Sequence, residues 1–181
     1  MRLFIAVNIN SRSKKLIENK VKLLKDKINI DLKWTEREQW HLTLKFIGEA
    51  SVEQKEDLIT ALKNINFKEK REYIQFAHLD AFPNLNTAKV IYLAVGQGKS
   101  LLEALHERVE AEVLKYGFEN DQRAYIPHLT LGRSRSEALK IKKEFRQKHF
   151  INIYAQIESI SLYKSELKAE GPEYIELFSI K

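Results

Sequence analysis

Trp40-His41-Leu42-Thr43-Leu44-Lys45-Phe46-Ile47-Gly48-Glu49 and Pro127-His128-Leu129-Thr130-Leu131-Gly132-Arg133 contain the same tetrapeptide, His-Leu-Thr-Leu. In an extended strand successive side chains point to opposite faces, so His41 and Thr43 share one face while Leu42 and Leu44 pack behind it. The second copy places His128 and Thr130 in the same way. With five His in the chain, chance yields on the order of 0.14 His-x-Thr matches, so a repeat with the same flanking leucines is a strong signal.

Outward from these strands, hydrophobic periodicity gives the remaining elements. Residues 3–9 read as a strand. Asn10 or Ser11 caps a helix running to about Ile28, with Leu16, Ile17, Val21, Leu24 and Ile28 on its apolar stripe. The first His-x-Thr strand, at roughly 40–47, is closed by Gly48. Ser51-Val52-Glu53-Gln54 is a capping box for a helix carrying Leu58, Ile59, Leu62 and Ile65. A strand at about 72–79 leads to the turn-rich Asp80-Ala81-Phe82-Pro83-Asn84. A strand at Val90–Val95, a helix from about Ser100 to Tyr116 stopped by Gly117, and the strand from His128 follow. The remainder reads as a charged helix near 136–149, a strand near 156–163 and a last strand, Tyr174–Ile180, after the Glu170-Gly171-Pro172 turn.

The two histidines are 87 residues apart, and that offset lays Leu3-Phe4-Ile5-Ala6-Val7 onto Val90-Ile91-Tyr92-Leu93-Ala94. The order of elements therefore suggests two copies of a strand-helix-strand-helix-strand unit, since one unit alone would leave a sheet face unburied. The expected fold is α+β and bilobal. Two pseudo-symmetric lobes of antiparallel sheet, with helices packed outside, would face their His-x-Thr strands across a central cleft. No linker rich in Gly, Ser or Pro separates the halves, so residues 1–181 are expected to form a single compact domain with two internal pseudo-repeats.

Composition narrows the function classes. With 181 residues, 44% of them hydrophobic, the chain can build a sizeable core. It has no cysteine, which removes disulfides, thiolate metal sites and a cysteine nucleophile, and fits a cytoplasmic location. No apolar run approaches the roughly 20 residues needed to span a bilayer, so no membrane association is expected. A formal net charge of +6 and a pI near 9.3 favour an acidic partner such as nucleic acid. Many lysines (Lys14, Lys15, Lys20, Lys22, Lys25, Lys27; Lys140, Lys142, Lys143, Lys148) recur at helical spacing, where a solvated helix face explains them equally well.

Histidine titrates near pH 6.5, so two matched imidazoles supply an acid and a base without a cofactor. Hydroxyls two residues away can donate to the oxygens of an anionic group held between them, which suits phosphoryl transfer. Thr43 and Thr130 are also ordinary β-branched strand residues. Strict alternation puts Arg133 on the face opposite His128, so only a bulge or the strand's end would swing it toward a bound phosphate. Lys45 has the parity of His41, and Tyr125, Phe46 and Phe82 are candidates for stacking on a base. His78, His106 and His149 have no comparable setting. Two histidines are too few for a typical metal site, and none is expected.

The paired His-x-Thr-Leu motifs, the Met1-Arg2-Leu3-Phe4-Ile5-Ala6-Val7 opening and the Leu162-Tyr163-Lys164-Ser165-Glu166-Leu167 and Gly171-Pro172-Glu173-Tyr174 segments together resemble the 2H phosphoesterase superfamily. Within it the chain is similar to the RNA 2′,3′-cyclic phosphodiesterases, once called 2′-5′ RNA ligases. The resemblance covers nearly the whole chain. It implies metal-independent, cofactor-free hydrolysis of 2′,3′-cyclic phosphate ends of RNA, tRNA fragments included, to 2′-phosphomonoesters by a monomer. His41 would then be the proton donor and His128 the proton acceptor. Thr43 and Thr130 would steady the phosphate; Arg133, Lys45 and Tyr125 are substrate-binding candidates from the residues themselves, apart from the resemblance. Some relatives also run the reverse 2′-5′ ligation. The residues alone leave open small cyclic phosphates, 2′-5′-linked oligonucleotides, or a non-catalytic RNA-binding module.

Overall fold

The computed structural model describes residues 1–25, 31–67, 72–135, 138–141, 151–168 and 171–181. The elements in chain order are β1 (Arg2–Ile9), α1 (Ser11–Lys25), β2 (Leu32–Trp34), a 3₁₀ turn (Arg37–Gln39), β3 (Leu42–Glu49), α2 (Val52–Asn64), β4 (Tyr73–Phe82), β5 (Val90–Val95), α3 (Lys99–Leu114), β6 (His128–Ser134), β7 (Ile153–Lys168) and β8 (Gly171–Ile180). The strands follow the order β2-β6-β5-β4-β7-β1-β3, with β8 on the other part of β7.

β7 makes this arrangement two-lobed. Its first residues, Ile153 to Gln156, pair with β4. From Ile157 onward it pairs with β1, and from Ile160 also with β8. One lobe is thus β3-β1-β7-β8 and the other β2-β6-β5-β4, joined along one long strand. Every pairing is antiparallel. The lobes are bilobal as the sequence implies, but they are not the two halves of the chain. The first half sends β2 and β4 into the second lobe, and the second half returns β7 and β8 to the first.

β1 and β5 lie at the centres of their lobes. From Leu3 to Ile9 every β1 residue is buried, which a strand covered on both faces requires. On α1, Ile17, Val21 and Leu24 form the buried stripe, whereas Leu16 is half-exposed, one helical step of about 100° off that face. The last turn expected for this helix, to Ile28, lies outside the described residues. The capping box of α2 forms: Gln54 N–H donates to Ser51 Oγ, and Ser51 N–H to Gln54 Oε1.

Two expectations are corrected. β4 continues through Asp80 and Ala81 to Phe82, because these residues pair with Tyr92, Ile91 and Val90 of β5; the turn starts at Pro83. The charged helix near 136–149 is not formed over residues 138–141. There Leu139 exchanges backbone bonds with Ala88, and Ile141 N–H donates to Leu85 O, so these N–H groups are not available to a helix. The rest of that segment lies outside the described residues.

Both His-x-Thr strands carry a β-bulge at the same place. Ala6 opposes Thr43 and Ile5 opposes Lys45, which leaves Leu44 as the extra residue. Tyr92 opposes Thr130 and Ile91 opposes Gly132, which leaves Leu131 as the extra residue. The ladder therefore maps β1 onto β5 by 86 positions (Ile5 to Ile91), one fewer than the 87 between the histidines. Each bulge carbonyl, orphaned from the ladder, is satisfied separately. Leu131 O accepts from Thr35 N–H at 2.8 Å, and Leu44 O lies 2.8 Å from His106 Nδ1, the donor in this contact.

Gly132 follows the second bulge under β2, where an added Cβ would stand 2.6 Å from Leu32 Cδ2 and 2.9 Å from Lys33 O. Replacing Gly132 by Ala should destabilise the protein by about 1–3 kcal/mol through overpacking. Urea denaturation reads this, and an unchanged midpoint would show that β2 yields freely.

Candidate active site

The bulges decide what faces the histidines. After Leu44, Lys45 is turned inward and buried, and Phe46 returns to the histidine face with 63% of its surface exposed. After Leu131, Gly132 is buried and Arg133 returns to the histidine face. The bulge therefore brings Arg133 to the side that strict alternation would deny it. Its charge reaches both imidazoles and contributes to the lowered proton affinity of each.

Lys45 lies elsewhere. Its ammonium donates to Glu110 Oε1 of α3 at 2.6 Å and to Glu119 O at 2.8 Å, with only 2% of its side chain exposed. The parity argument fails because the bulge inserts one residue. Tyr125 is also outside the cluster: it stacks on His106 of α3, centroids 4.3 Å apart, on the side where His106 meets Leu44 O. His78 stands 3.7 Å from Asp80, and His149 is outside the described residues. Among the described residues no group of three or more His, Asp or Glu side chains could hold a metal ion.

The two imidazoles are held alike. His41 Nδ1 lies 2.7 Å from Gln39 O and His128 Nδ1 lies 2.7 Å from Ile126 O. A carbonyl can only accept, so Nδ1 carries the proton and Nε2 is the basic atom in the neutral ring. His41 Nε2 is 3.1 Å from Thr43 Oγ1, which donates to it in that tautomer.

Aromatic rings enclose both histidines, and of these only Phe82 has a role in the sequence reading, as a candidate for stacking on a base. Phe4, Tyr174 and Tyr163 lie 4.9, 5.2 and 6.2 Å from His41, centroid to centroid. Phe82 and Tyr92 meet His128 edge-on at 5.0 and 5.1 Å. Strand pairing puts them there: Phe4 lies on β1 opposite Phe46 and Tyr163, and Tyr92 lies on β5 opposite Thr130.

Enclosure depresses both histidines. His41 falls from 6.5 to about 4, first through burial and then through Lys14, His128 and Arg133, against the opposing bond to Gln39 O. His128 is lowered by burial and by Arg133, against the bond to Ile126 O. His128 is among the charges that lower His41, so protonation of one imidazole opposes protonation of the other. Two neutral imidazoles, two hydroxyls and a guanidinium make a site that favours an anion and can move protons at two points.

Comparison with known proteins identifies the arrangement. The family model described as "LigT like Phosphoesterase" matches residues 12–92 and again 93–174. The chain belongs to the LigT-like phosphoesterase family of the 2H superfamily and is a hydrolase. It is 30% identical over 177 residues to the RNA 2′,3′-cyclic phosphodiesterase of Methanocaldococcus jannaschii, covering 96% of each chain. It is also 30% identical over 182 residues to the protein of that name from Archaeoglobus fulgidus, covering 98% of each. The crystal structure of TT0787 of Thermus thermophilus superposes with a TM-score of 0.79 at 25% identity, covering 99% of this chain and 96% of that one. Escherichia coli LigT complexed with 3′-AMP shares the fold, with a TM-score of 0.73 at 23% identity and coverage of 99% and 96%.

Two outcomes follow for the LigT-like site. Removing Lys45 takes the ion-pair partner from Glu110, whose side chain is 13% exposed and keeps the Asp121 N–H as a donor, so Lys45→Ala should cost about 3 kcal/mol of stability, seen as a lower denaturation midpoint. A stable Lys45→Ala protein with weakened RNA binding would return this side chain to the cleft. Because the folded pKa of His41 lies below its unfolded value of 6.5, the unfolded chain binds more protons between pH 6.5 and about 4. Stability is fully present above pH 6.5 and falls as pH drops through that window, by about 3 kcal/mol from this group. Denaturation of His41→Gln over the same range should show a flatter slope.

Proposed function

We propose that this protein hydrolyses 2′,3′-cyclic phosphate ends of RNA to 2′-phosphomonoesters, without metal or cofactor. The observation that carries the reading is the pair of imidazoles, each with Nδ1 committed to a backbone carbonyl so that Nε2 is the reacting atom. The names of the relatives and the basic charge of +6 support RNA as the substrate. tRNA fragments are among the RNAs that would carry such ends, and a monomer suffices because one chain supplies both histidines.

The cyclic phosphate monoanion sits between the motifs, its non-bridging oxygens meeting the hydroxyls of Thr43 and Thr130 and the guanidinium of Arg133. His128 Nε2 takes a proton from water as the water oxygen bonds to phosphorus. The bond from phosphorus to O3′ breaks, and His41 Nε2 delivers a proton to O3′. The product carries a 2′-phosphate and a 3′-hydroxyl. His41 ends neutral and His128 protonated, and exchange with solvent restores them. With a 5′-hydroxyl in place of water, the same displacement forms a 2′-5′ linkage, O3′ again leaving with the proton from His41.

His41 at about 4 is neutral in the free site near pH 7. Donating a proton therefore requires the substrate, whose negative charge beside Nε2 favours the imidazolium. Binding and protonation are coupled, and rings around His41 face a cation when it charges.

The test is EDTA-treated protein with a short RNA ending in a 2′,3′-cyclic phosphate, resolving 2′- from 3′-phosphate products. We expect the 2′-phosphate alone, a bell-shaped pH dependence of kcat/KM, and a fall of about 10²–10⁴-fold in His41→Ala or His128→Ala with the fold intact. Full activity in either variant would refute the roles. Salt-sensitive RNA binding with no product would make the protein a binding module, and turnover of small cyclic phosphates or 2′-5′-linked oligonucleotides alone would move the substrate.

A further inference from the structure

The two motifs are locally the same, and one difference in their surroundings falls at a pair of matching positions. The ladder places Tyr163 opposite Phe4 on β1 and Phe82 opposite Val90, the residue of β5 that corresponds to Phe4. Tyr163 and Phe82 are therefore equivalent positions, and one has a hydroxyl where the other has none. The hydroxyl donates to Asn8 Oδ1 at 2.8 Å, with Glu176 Oε2 a longer alternative at 3.2 Å. Burial pushes the phenol up to about 12, so it remains a donor.

Asn8 is itself fixed. Its amide donates to Ser159 Oγ at 2.9 Å and Ser161 Oγ at 2.8 Å, and Ser161 Oγ donates to Ser179 Oγ at 3.1 Å. Asn8, Ser159 and Ser161 are all buried. By the same register Asn8 corresponds to Ala94, which has no side-chain hydrogen bond to offer. A buried polar network costs desolvation unless its members are satisfied, and in this one Tyr163, Asn8, Ser161 and Ser179 bond one another in turn. It ends on the Tyr163 ring, which stacks on Phe4 (5.2 Å, 16°) and lies at 30° to the His41 ring.

We propose that Tyr163, anchored through its hydroxyl by Asn8, is a positioning residue for His41. This rests on the reading of His41 as a reacting group. The hydroxyl bond fixes the Tyr163 ring, and Tyr163 with Phe4 fixes the plane of the imidazole and keeps water from it. His128 meets Phe82 and Tyr92 instead, at 5.0 and 5.1 Å. The charged and titratable groups around His41 are Lys14 from α1, His128 and Arg133 from β6, Tyr163 from β7 and Tyr174 from β8.

The experiment compares Tyr163→Phe, Asn8→Ala and the double variant by NMR titration of the histidine rings in the substrate-free protein. The kcat and KM for the RNA cyclic phosphate are measured alongside. Tyr163→Phe makes the first lobe like the second and removes one oxygen atom, so it should fold. Loosening the ring lets water reach His41, so its titration should move up toward 6.5 while that of His128 stays. The double variant should shift no further than Asn8→Ala, and kcat should fall about tenfold or more with little change in KM. A His41 titration unmoved in Tyr163→Phe, equal movement of both histidines, or additive shifts would each overturn the proposal. The NMR arm needs no turnover, so a failure of the RNA phosphodiesterase reading would be seen separately, as a wild-type protein with an ordered titration and no product.

Discussion

One extra residue in each His-x-Thr strand governs this site. A regular strand would put His41, Thr43 and Lys45 on one face and, on the other copy, His128, Thr130 and Gly132, leaving Arg133 behind the sheet. The bulges at Leu44 and Leu131 reverse the alternation at that point. The guanidinium is thereby aimed at the histidines, and the buried side receives Lys45 in one lobe and Gly132 in the other. Each bulge leaves a carbonyl out of the ladder, and each is satisfied by a separate device: a ring nitrogen of His106 for Leu44 and the backbone of Thr35 for Leu131. Lys45 with Glu110, and β2 packed on Gly132, hold the two corners in place.

The lobes depend on each other because the chain exchanges strands between them. β7 is long enough to serve both sheets, and the edge of the second lobe is completed by β2 from the first half. The cleft is therefore built from segments far apart in sequence: β1, β3, β6, β7 and β8 all contribute side chains to it. Two short links also tie the 3₁₀ turn to the site. Gln39 O holds His41 Nδ1, while Gln39 Nε2 donates to Pro172 O at 2.6 Å.

The electrostatics follow from this enclosure. Aromatic rings around both imidazoles remove water, and nearby cations add to the cost of protonation, so the free site holds two neutral bases. Such a site is poised for an anion, because only a negative charge between the motifs restores the balance that burial removes. The hydrogen-bonded chain from Ser179 through Ser161 and Asn8 to Tyr163 lies on the His41 side, where Lys14 and the Thr43 hydroxyl also act on the ring.

The sequence by itself determined the repeated motif, the strand and helix order outside β2 and residues 138–141, the buried stripe of α1 at Ile17, Val21 and Leu24, and the capping box at Ser51, because these depend on periodicity and contacts a few residues apart. It also carried the family, through motifs that keep their spacing. Only the tertiary structure decided the bulges, and with them the faces of Lys45 and Arg133, since an extra residue in a ladder is defined by the partner strand and leaves no local mark. The same holds for the strand exchange, for β4 running on to Phe82, and for the extended course of residues 138–141. In each, hydrogen bonds to a distant segment outweigh local preference. Tyr125 reads like a cleft residue in sequence and stacks on His106 in the fold, while Phe4, Tyr163 and Tyr174 reach His41 through the register of β1, β7 and β8, which only pairing can set.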